Sequence, residues 1–421
     1  MRILLVSYWF PPTNVIGAVR AGKFARFMRE AGHDVRVLAG PARPPLGLTL
    51  EIPEAAVSRP NVAEDPGPPA SFAITQGRLR ERFDALGLTT GRAAKLLREH
   101  LYAAREIPDK QAGWIGPTVD RGRALMRDWR PDVIVASAPP YSGLIAAARL
   151  SEGGAIPWVG ELRDPWSGNV YNDRPPWRDW LDRRMEGRTL RAATALVAVS
   201  PVVARDLRAR YAQPVGTILN GFAPEDLPPE RPPGPHEVLT IVYTGTIYEG
   251  HRDPSALFAA IARLPASVRT LVRVVFYGPT EDQVHALAAR HGLGRQVAVM
   301  APVDYRSSLE RQAEADVLLL LQRNHPSDEG NLPAKFFEYL GALRPILLLG
   351  YEEGVLAGMI RERDAGLVSN DPAVIASRLE AWIDQSSATG VPKLPEAARA
   401  GLSRAEQFGQ YEAFLRARAT G

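Results

Sequence analysis

Gly330-Asn331-Leu332-Pro333-Ala334-Lys335-Phe336-Phe337-Glu338-Tyr339-Leu340-Gly341 is the stretch from which the rest of the 421-residue chain is read. A polar loop, 324–330, runs into Asn331, a residue type that caps helices, and Pro333 suits a first turn because its missing N–H would be unpaired there. The stretch therefore reads as a helix start. At about 100° per residue, Phe336, Phe337, Leu340 and Leu343 gather on one side. Asn331, Lys335, Glu338, Tyr339 and Ala342 gather on the other, so one face is expected in the core and the other outward.

The apolar runs Asp316–Gln322 and Pro345–Leu349 read as strands on either side of this helix. Its N-terminus then belongs at the carboxyl edge of a parallel sheet, where α/β folds bind ligands. Free N–H groups and the helix dipole favour an anion there, and Lys335 adds a full charge, so a phosphate is the natural guest. Glu338, one turn deeper, would repel a phosphate but can accept hydrogen bonds from vicinal hydroxyls such as those of a ribose. An exposed Lys335–Glu338 pair at i,i+3 spacing, worth a few tenths of a kcal/mol, is the bland alternative, and the pattern alone leaves both open.

A chain of this length exceeds the size at which one core stops growing, so two domains are the default. Its 45% hydrophobic and 23% charged residues are ordinary for a globular protein, and a formal net charge of +4 argues for no nucleic-acid partner. There are no cysteines, which excludes disulfides, thiol nucleophiles and cysteine metal sites. Met1–Val6 reads as a strand rather than a signal, and no apolar run approaches the roughly 20 residues needed to span a bilayer. The expectation is a soluble or peripheral protein in the cytoplasm, with the inner membrane face as the peripheral option.

Arg2–Ser7, Arg20–Ala31 and Asp34–Ala39 read as strand, helix and strand, a βαβ unit whose first loop holds Pro11-Pro12 and Gly17 but no Gly-x-Gly-x-x-Gly. Residues 41–70 read as a loop or mobile insertion, and 77–105 as a basic helical stretch. That stretch suits either a solvated helix face or contact with an anionic membrane or acidic acceptor. Further strands are expected at Asp132–Ser137, around Pro157–Leu162 and at Thr194–Ser200, with Arg163-Asp164-Pro165-Trp166 in the loop after the second. A proline-heavy segment, 223–237, reads as a semi-rigid linker. A second strand–helix series follows from Val238, with Gly245 to Pro254 as the loop after its first strand.

In this order the segments resemble family 4 glycosyltransferases, retaining enzymes of the two-domain GT-B fold. The resemblance is carried by 333–347, by Gly32-His33-Asp34-Val35-Arg36-Val37, and most specifically by Arg163-Asp164-Pro165-Trp166, the mark of a bacterial polysaccharide and glycoconjugate subgroup. It implies two Rossmann-like domains facing a cleft: 1–222 on the acceptor side with an insertion at about 41–105, and 238–402 on the donor side. A C-terminal helix, 403–421, would return to the first domain. It also implies donor contacts from Gly17, Gly245, Asn331, Leu332, Lys335 and Glu338, with Glu338 on the ribose. Arg163, Asp164 and Trp166 fall on the acceptor side, and Asp164, Lys335 and Arg252 are the catalytic candidates. Asp164 would orient or deprotonate the hydroxyl nucleophile, while Lys335 and Arg252 would meet the diphosphate.

Many relatives place a second glutamate where this chain has Gly330, with Asp328 and Glu329 as neighbouring carboxylates, and a histidine in a region where this chain has none between His100 and His236. The implied reaction moves a sugar from a nucleotide sugar to a hydroxyl acceptor with retention, needing no cofactor. No metal is expected, because no Asp-x-Asp occurs in the chain. Two alternatives stand beside it: a pseudo-glycosyltransferase that only binds a nucleotide, and an NAD(P)-dependent oxidoreductase, which the missing glycine fingerprint disfavours.

Overall fold

The computed structural model describes residues 1–60, 100–169, 174–230, 232–247, 251–278 and 281–419, apart from 102 and 105. The chain divides into two compact units, one formed by Met1–Ile218 with Phe408–Gly421 and one by Leu219–Gln407.

Unit 1 contains β1 (Arg2–Ser7), β2 (Asp34–Ala39), β3 (Val57–Ser58), β4 (Val133–Ala138), β5 (Trp158–Leu162), β6 (Ala195–Ala198) and β7 (Val215–Thr217). They form one sheet in the order β3-β2-β1-β4-β5-β6-β7, and every pairing is parallel. Unit 2 contains β8 (Leu239–Thr244), β9 (Val272–Tyr277), β10 (Val297–Met300), β11 (Val317–Leu321), β12 (Ile346–Leu349) and β13 (Gly366–Val368). Their order is β10-β9-β8-β11-β12-β13, again all parallel. Both are doubly wound sheets, in which the strand order reverses beside the first strand of the series, β1 in unit 1 and β8 in unit 2, and leaves a crevice at the carboxyl ends.

The strands are near-continuous apolar runs because helices cover both faces. In unit 1, Leu4, Val6, Ile134 and Ala136 serve one face, and Ile3, Leu5, Val133 and Val135 the other. Phe408, Tyr411 and Leu415 of the C-terminal helix Arg404–Ala419 belong to that second cluster, so the end of the chain completes the core of unit 1. In unit 2, Ile241, Val274 and Leu319 face one cluster, while Val242, Leu318 and Leu320 face another that includes Phe336, Phe337 and Leu340.

Several expectations change. The first helix is Ile16–Glu30, so Gly17 lies in its first turn rather than in the preceding loop. Residues 41–60 are not a featureless loop: Val57–Ser58 adds an edge strand to β2, and Ile52 is buried. The 77–105 stretch lies outside the described residues except for 100, 101, 103 and 104. Asn331 does not cap the decisive helix, which runs Ala334–Gly341 with Pro333 at the N-cap and no side-chain cap. The Asn331 side chain instead donates to Asp328 Oδ2 at 3.5 Å, within the loop that precedes the helix. Nor is that helix two-faced. Glu338 and Tyr339 are buried too, Tyr339 being turned to the sheet, where it donates to the Leu319 carbonyl at 3.2 Å. From the other side, Arg399 binds the carbonyl of Gly341.

Candidate functional site

Gly245 follows β8, and the Ala334–Gly341 helix follows the loop after β11, so both lie at the switch point of the second sheet. The Lys335 ammonium lies 4.7 Å from the centroid of the Tyr243 ring, a cation–π contact. It also lies against Gly245, whose φ is +135° and where a Cβ would overlap the ammonium; the glycine is required by both backbone and neighbour. Tyr243 and Arg252 both donate to the carbonyl of Thr246, at 3.0 and 2.8 Å. That shared carbonyl holds the Arg252 guanidinium beside Lys335.

Loss of hydration and the charge of Arg252 push the half-buried Lys335 ammonium down to about 7, with Glu338 opposing them. Two cations held together in this way form a site short of negative charge. Glu338 is only 6% exposed, and its carboxylate accepts from Gln312 Nε2 at 3.1 Å. The same Gln312 nitrogen reaches Thr244 Oγ1 at 3.2 Å and Ser308 Oγ at 3.1 Å, so its two hydrogens serve three oxygens while its own Oε1 is buried without a partner. The bland alternative fails on this geometry: Lys335 and Glu338 do not form an exposed pair.

Sequence reading found Gly245, Arg252, Lys335 and Glu338, and the structure brings these together. It missed Tyr243, Thr244 and Gln312. Gln312 carried the one available signal, a polar residue three positions after Leu309 on the buried side of the Tyr305–Glu314 helix. Asn331 and Leu332 lie in the preceding loop. The Asn331 backbone N–H donates to the Asp328 carbonyl at 3.0 Å, and Leu332 is 6% exposed. Asp328 is wholly buried, with Arg323 at 3.6 Å, so it anchors the loop rather than offering a carboxylate at its surface.

In unit 1, Arg163 lies at the carboxyl end of β5 and folds back. Its backbone N–H and Nε both donate to the Ala138 carbonyl, at 2.9 and 3.2 Å, and its Nη2 to that of Pro139. One Arg163 nitrogen sits where a Cβ of Gly17 would be, so the structure also unites these two sequence-chosen residues. Burial lowers the Arg163 pKa, opposed by Glu161 and Asp164. Asp164 is exposed, and the Arg163 charge favours its ionised form. Trp166 is 1% exposed and stacked on Tyr141 with ring centroids 5.0 Å apart, so its surface faces the core rather than an acceptor. Beneath them Arg20 binds Glu161 through Nε at 3.0 Å and Nη2 at 2.7 Å, and Ser137 donates to the other carboxylate oxygen at 2.6 Å.

Comparison with known proteins agrees with this architecture. Residues 17–221 match the family described as a glycosyl transferase 4-like domain. No curated protein sequence matches the chain. Among solved structures, sucrose-phosphate synthase from Thermosynechococcus elongatus is 14% identical with a TM-score of 0.68, each chain covered at 100%. HepE of Anabaena, solved in complex with UDP, is 14% identical with a TM-score of 0.61, covering 99% of this chain and 100% of its own. The lipopolysaccharide-biosynthesis glycosyltransferase WaaG is 14% identical with a TM-score of 0.59, with both chains covered at 100%. At such identity the likeness is one of fold, and it is the GT-B fold. Residues 17–221 match the glycosyl transferase 4-like domain, and over its whole length the chain has the GT-B fold.

Proposed function

We propose that the chain transfers a sugar from a nucleoside-diphosphate sugar to a hydroxyl acceptor, with retention and without a metal. The observation that carries this is the Lys335–Arg252 pair of cations beside the buried Glu338 at a sheet switch point. Lys335 and Arg252 meet the diphosphate and stabilise the charge that grows on it as the glycosidic bond breaks. Glu338, held by Gln312, accepts from the ribose hydroxyls. Backbone at Gly245, Asn331 and Leu332 supports the donor, and Gly17 offers an N–H at a helix start. HepE being solved with UDP and with UDP-glucose supports a uridine nucleotide as the first donor to try.

Arg163 and Asp164 receive the acceptor, Asp164 orienting its hydroxyl or taking its proton. Metal independence rests on the absence of Asp-x-Asp from the sequence, and a cytoplasmic location is retained from the same reading. A non-catalytic nucleotide binder is the second reading, favoured by Gly330 and by Asp328 being buried in its loop. Millimolar UDP is expected to raise the melting temperature, because a ligand bound only by the native state stabilises it. UDP-glucose hydrolysis that survives EDTA then separates the two readings. No shift with any nucleoside diphosphate would remove the donor site; a shift without hydrolysis favours the binder.

A further inference from the structure

The Pro176–Leu190 helix of unit 1 carries charge in an unusual arrangement. Its buried face carries Arg178, Asp182 and Glu186, spaced one turn apart, and ends in Gly187 and Leu190. Arg178, wholly buried, donates to the carbonyls of Ala103, Glu106 and Pro108 at 2.6–2.7 Å and pairs with Asp182 at 3.0 Å. Asp182 also binds Arg174, and Glu186 accepts from Arg210 and Tyr211 at 2.7 and 2.8 Å. Two of the helix's three acids are therefore turned inward and neutralised by arginines. What it presents outward is Trp177, Trp180, Arg184 and Arg188, continued by Arg191 just past its end. At about 100° per residue these five positions fall within one narrow stripe.

Trp180 is 62% exposed and Trp177 38%, and the nearby Leu101 is 49% exposed. The Arg184 guanidinium lies 5.8 Å from the Trp180 ring, and Arg183, on the flank, has a side chain 69% exposed. Asp179 is the third acid and lies off the stripe, 3.9 Å from Arg183. Solvated helix faces mix both signs and seldom expose tryptophan. A stripe with aromatic rings at one end, guanidinium groups at the other and no carboxylate on it has the composition that settles at a lipid–water interface.

We propose that this stripe docks unit 1 on an anionic bilayer surface, the tryptophans entering the headgroup layer and the arginines meeting lipid phosphates. Among the described residues no helix is long and apolar enough to cross a membrane, so the contact is peripheral. A nucleic acid or acidic protein would also attract the arginines, but neither accounts for two exposed tryptophans aligned with them.

The test is flotation of the full chain with vesicles of phosphatidylcholine alone and of phosphatidylcholine with phosphatidylglycerol. The protein is expected to float with the anionic vesicles only, and to be released at about 1 M salt, where the Debye length is about 3 Å. Each arginine is worth about fivefold in partitioning, so the triple change Arg184→Gln, Arg188→Gln, Arg191→Gln is expected to lower it about 100-fold. The matching lysine triple is expected to keep most of the binding. Trp180→Ala, at a site too exposed to affect folding, is expected to weaken binding several-fold with an unchanged melting temperature. Failure of the unaltered chain to float overturns the proposal, as does a glutamine triple that floats equally well. Retention of the chain by duplex DNA but not by vesicles also overturns it, in favour of a nucleic-acid surface.

Discussion

In the proposed donor site Lys335 is the residue on which the chemistry turns, because burial and Arg252 bring its pKa to about 7. Folding lowers its pKa from 10.5 to about 7. Between those values the unfolded chain holds a proton that the folded one has released, so stability rises as pH goes from about 7 to about 10.5, and this contribution is absent below 7. A diphosphate bound as proposed would restore the charge. Nucleotide binding should therefore take up a proton above pH 7, and UDP affinity should fall by up to about tenfold per pH unit as pH rises toward 9. Calorimetry in buffers of different ionisation enthalpy reads that uptake, and Lys335→Met is expected to abolish it. A pH-independent affinity in the unaltered chain would place the ammonium away from the diphosphate. Glu338→Gln keeps the shape and loses the charge, and should weaken UDP binding by about 1.5–3 kcal/mol, the scale of a charged hydrogen bond. Unchanged affinity would remove Glu338 from the ribose. Both residues were legible in the sequence through their neighbours Pro333 and Phe336. Gln312, which fixes the carboxylate, was overlooked: its place one turn after Leu309 marks it as facing inward, but a lone glutamine at such a position does not say which group it holds.

At the level of elements, legibility followed hydrophobic periodicity. β1, β2 and β9 coincide with Arg2–Ser7, Asp34–Ala39 and Val272–Tyr277 as read from the sequence, since strands buried on both faces are uninterrupted apolar runs. The Pro176–Leu190 helix showed no such signal, because Arg178, Asp182 and Glu186 take most of its inner face and Leu190 is its one fully buried leucine. The same face predicts how it fails. Asp182→Asn removes the partner of two arginines, one of them with 0% of its side chain exposed, and should destabilise unit 1 by about 3 kcal/mol despite the near-identical shape. Denaturant unfolding measures this, and a change below about 0.5 kcal/mol, the scale of an ordinary surface substitution, would mean that Arg178 is satisfied by its three carbonyls alone. The helix starts misled for a related reason. Asn331 had the chemistry of a cap, but Pro333 took the N-cap position and left Asn331 to the loop.

For the whole molecule, the decisive feature is that unit 1 is discontinuous, leaving off at Ile218 and resuming at Phe408. The returning helix brings Phe408 and Tyr411 against Phe24 of the first helix and Leu415 into the same cluster, each at most 1% exposed. Large buried side chains of this kind are worth about 3–5 kcal/mol apiece, together comparable to the 5–15 kcal/mol that holds a domain. A chain ending at Gln407 should therefore lose the folded first unit while the second remains. Limited proteolysis is expected to leave a resistant fragment near 219–407, and equal resistance of both units would contradict the assignment. The same discontinuity sets an order of events during translation. The first 218 residues emerge early yet lack three of their core side chains, so this part of unit 1 must wait, partly exposed, until Phe408, Tyr411 and Leu415 have been synthesised. The usual vectorial order, in which the N-terminal domain folds first, is reversed here, and the middle of the polypeptide is the part able to finish before its beginning.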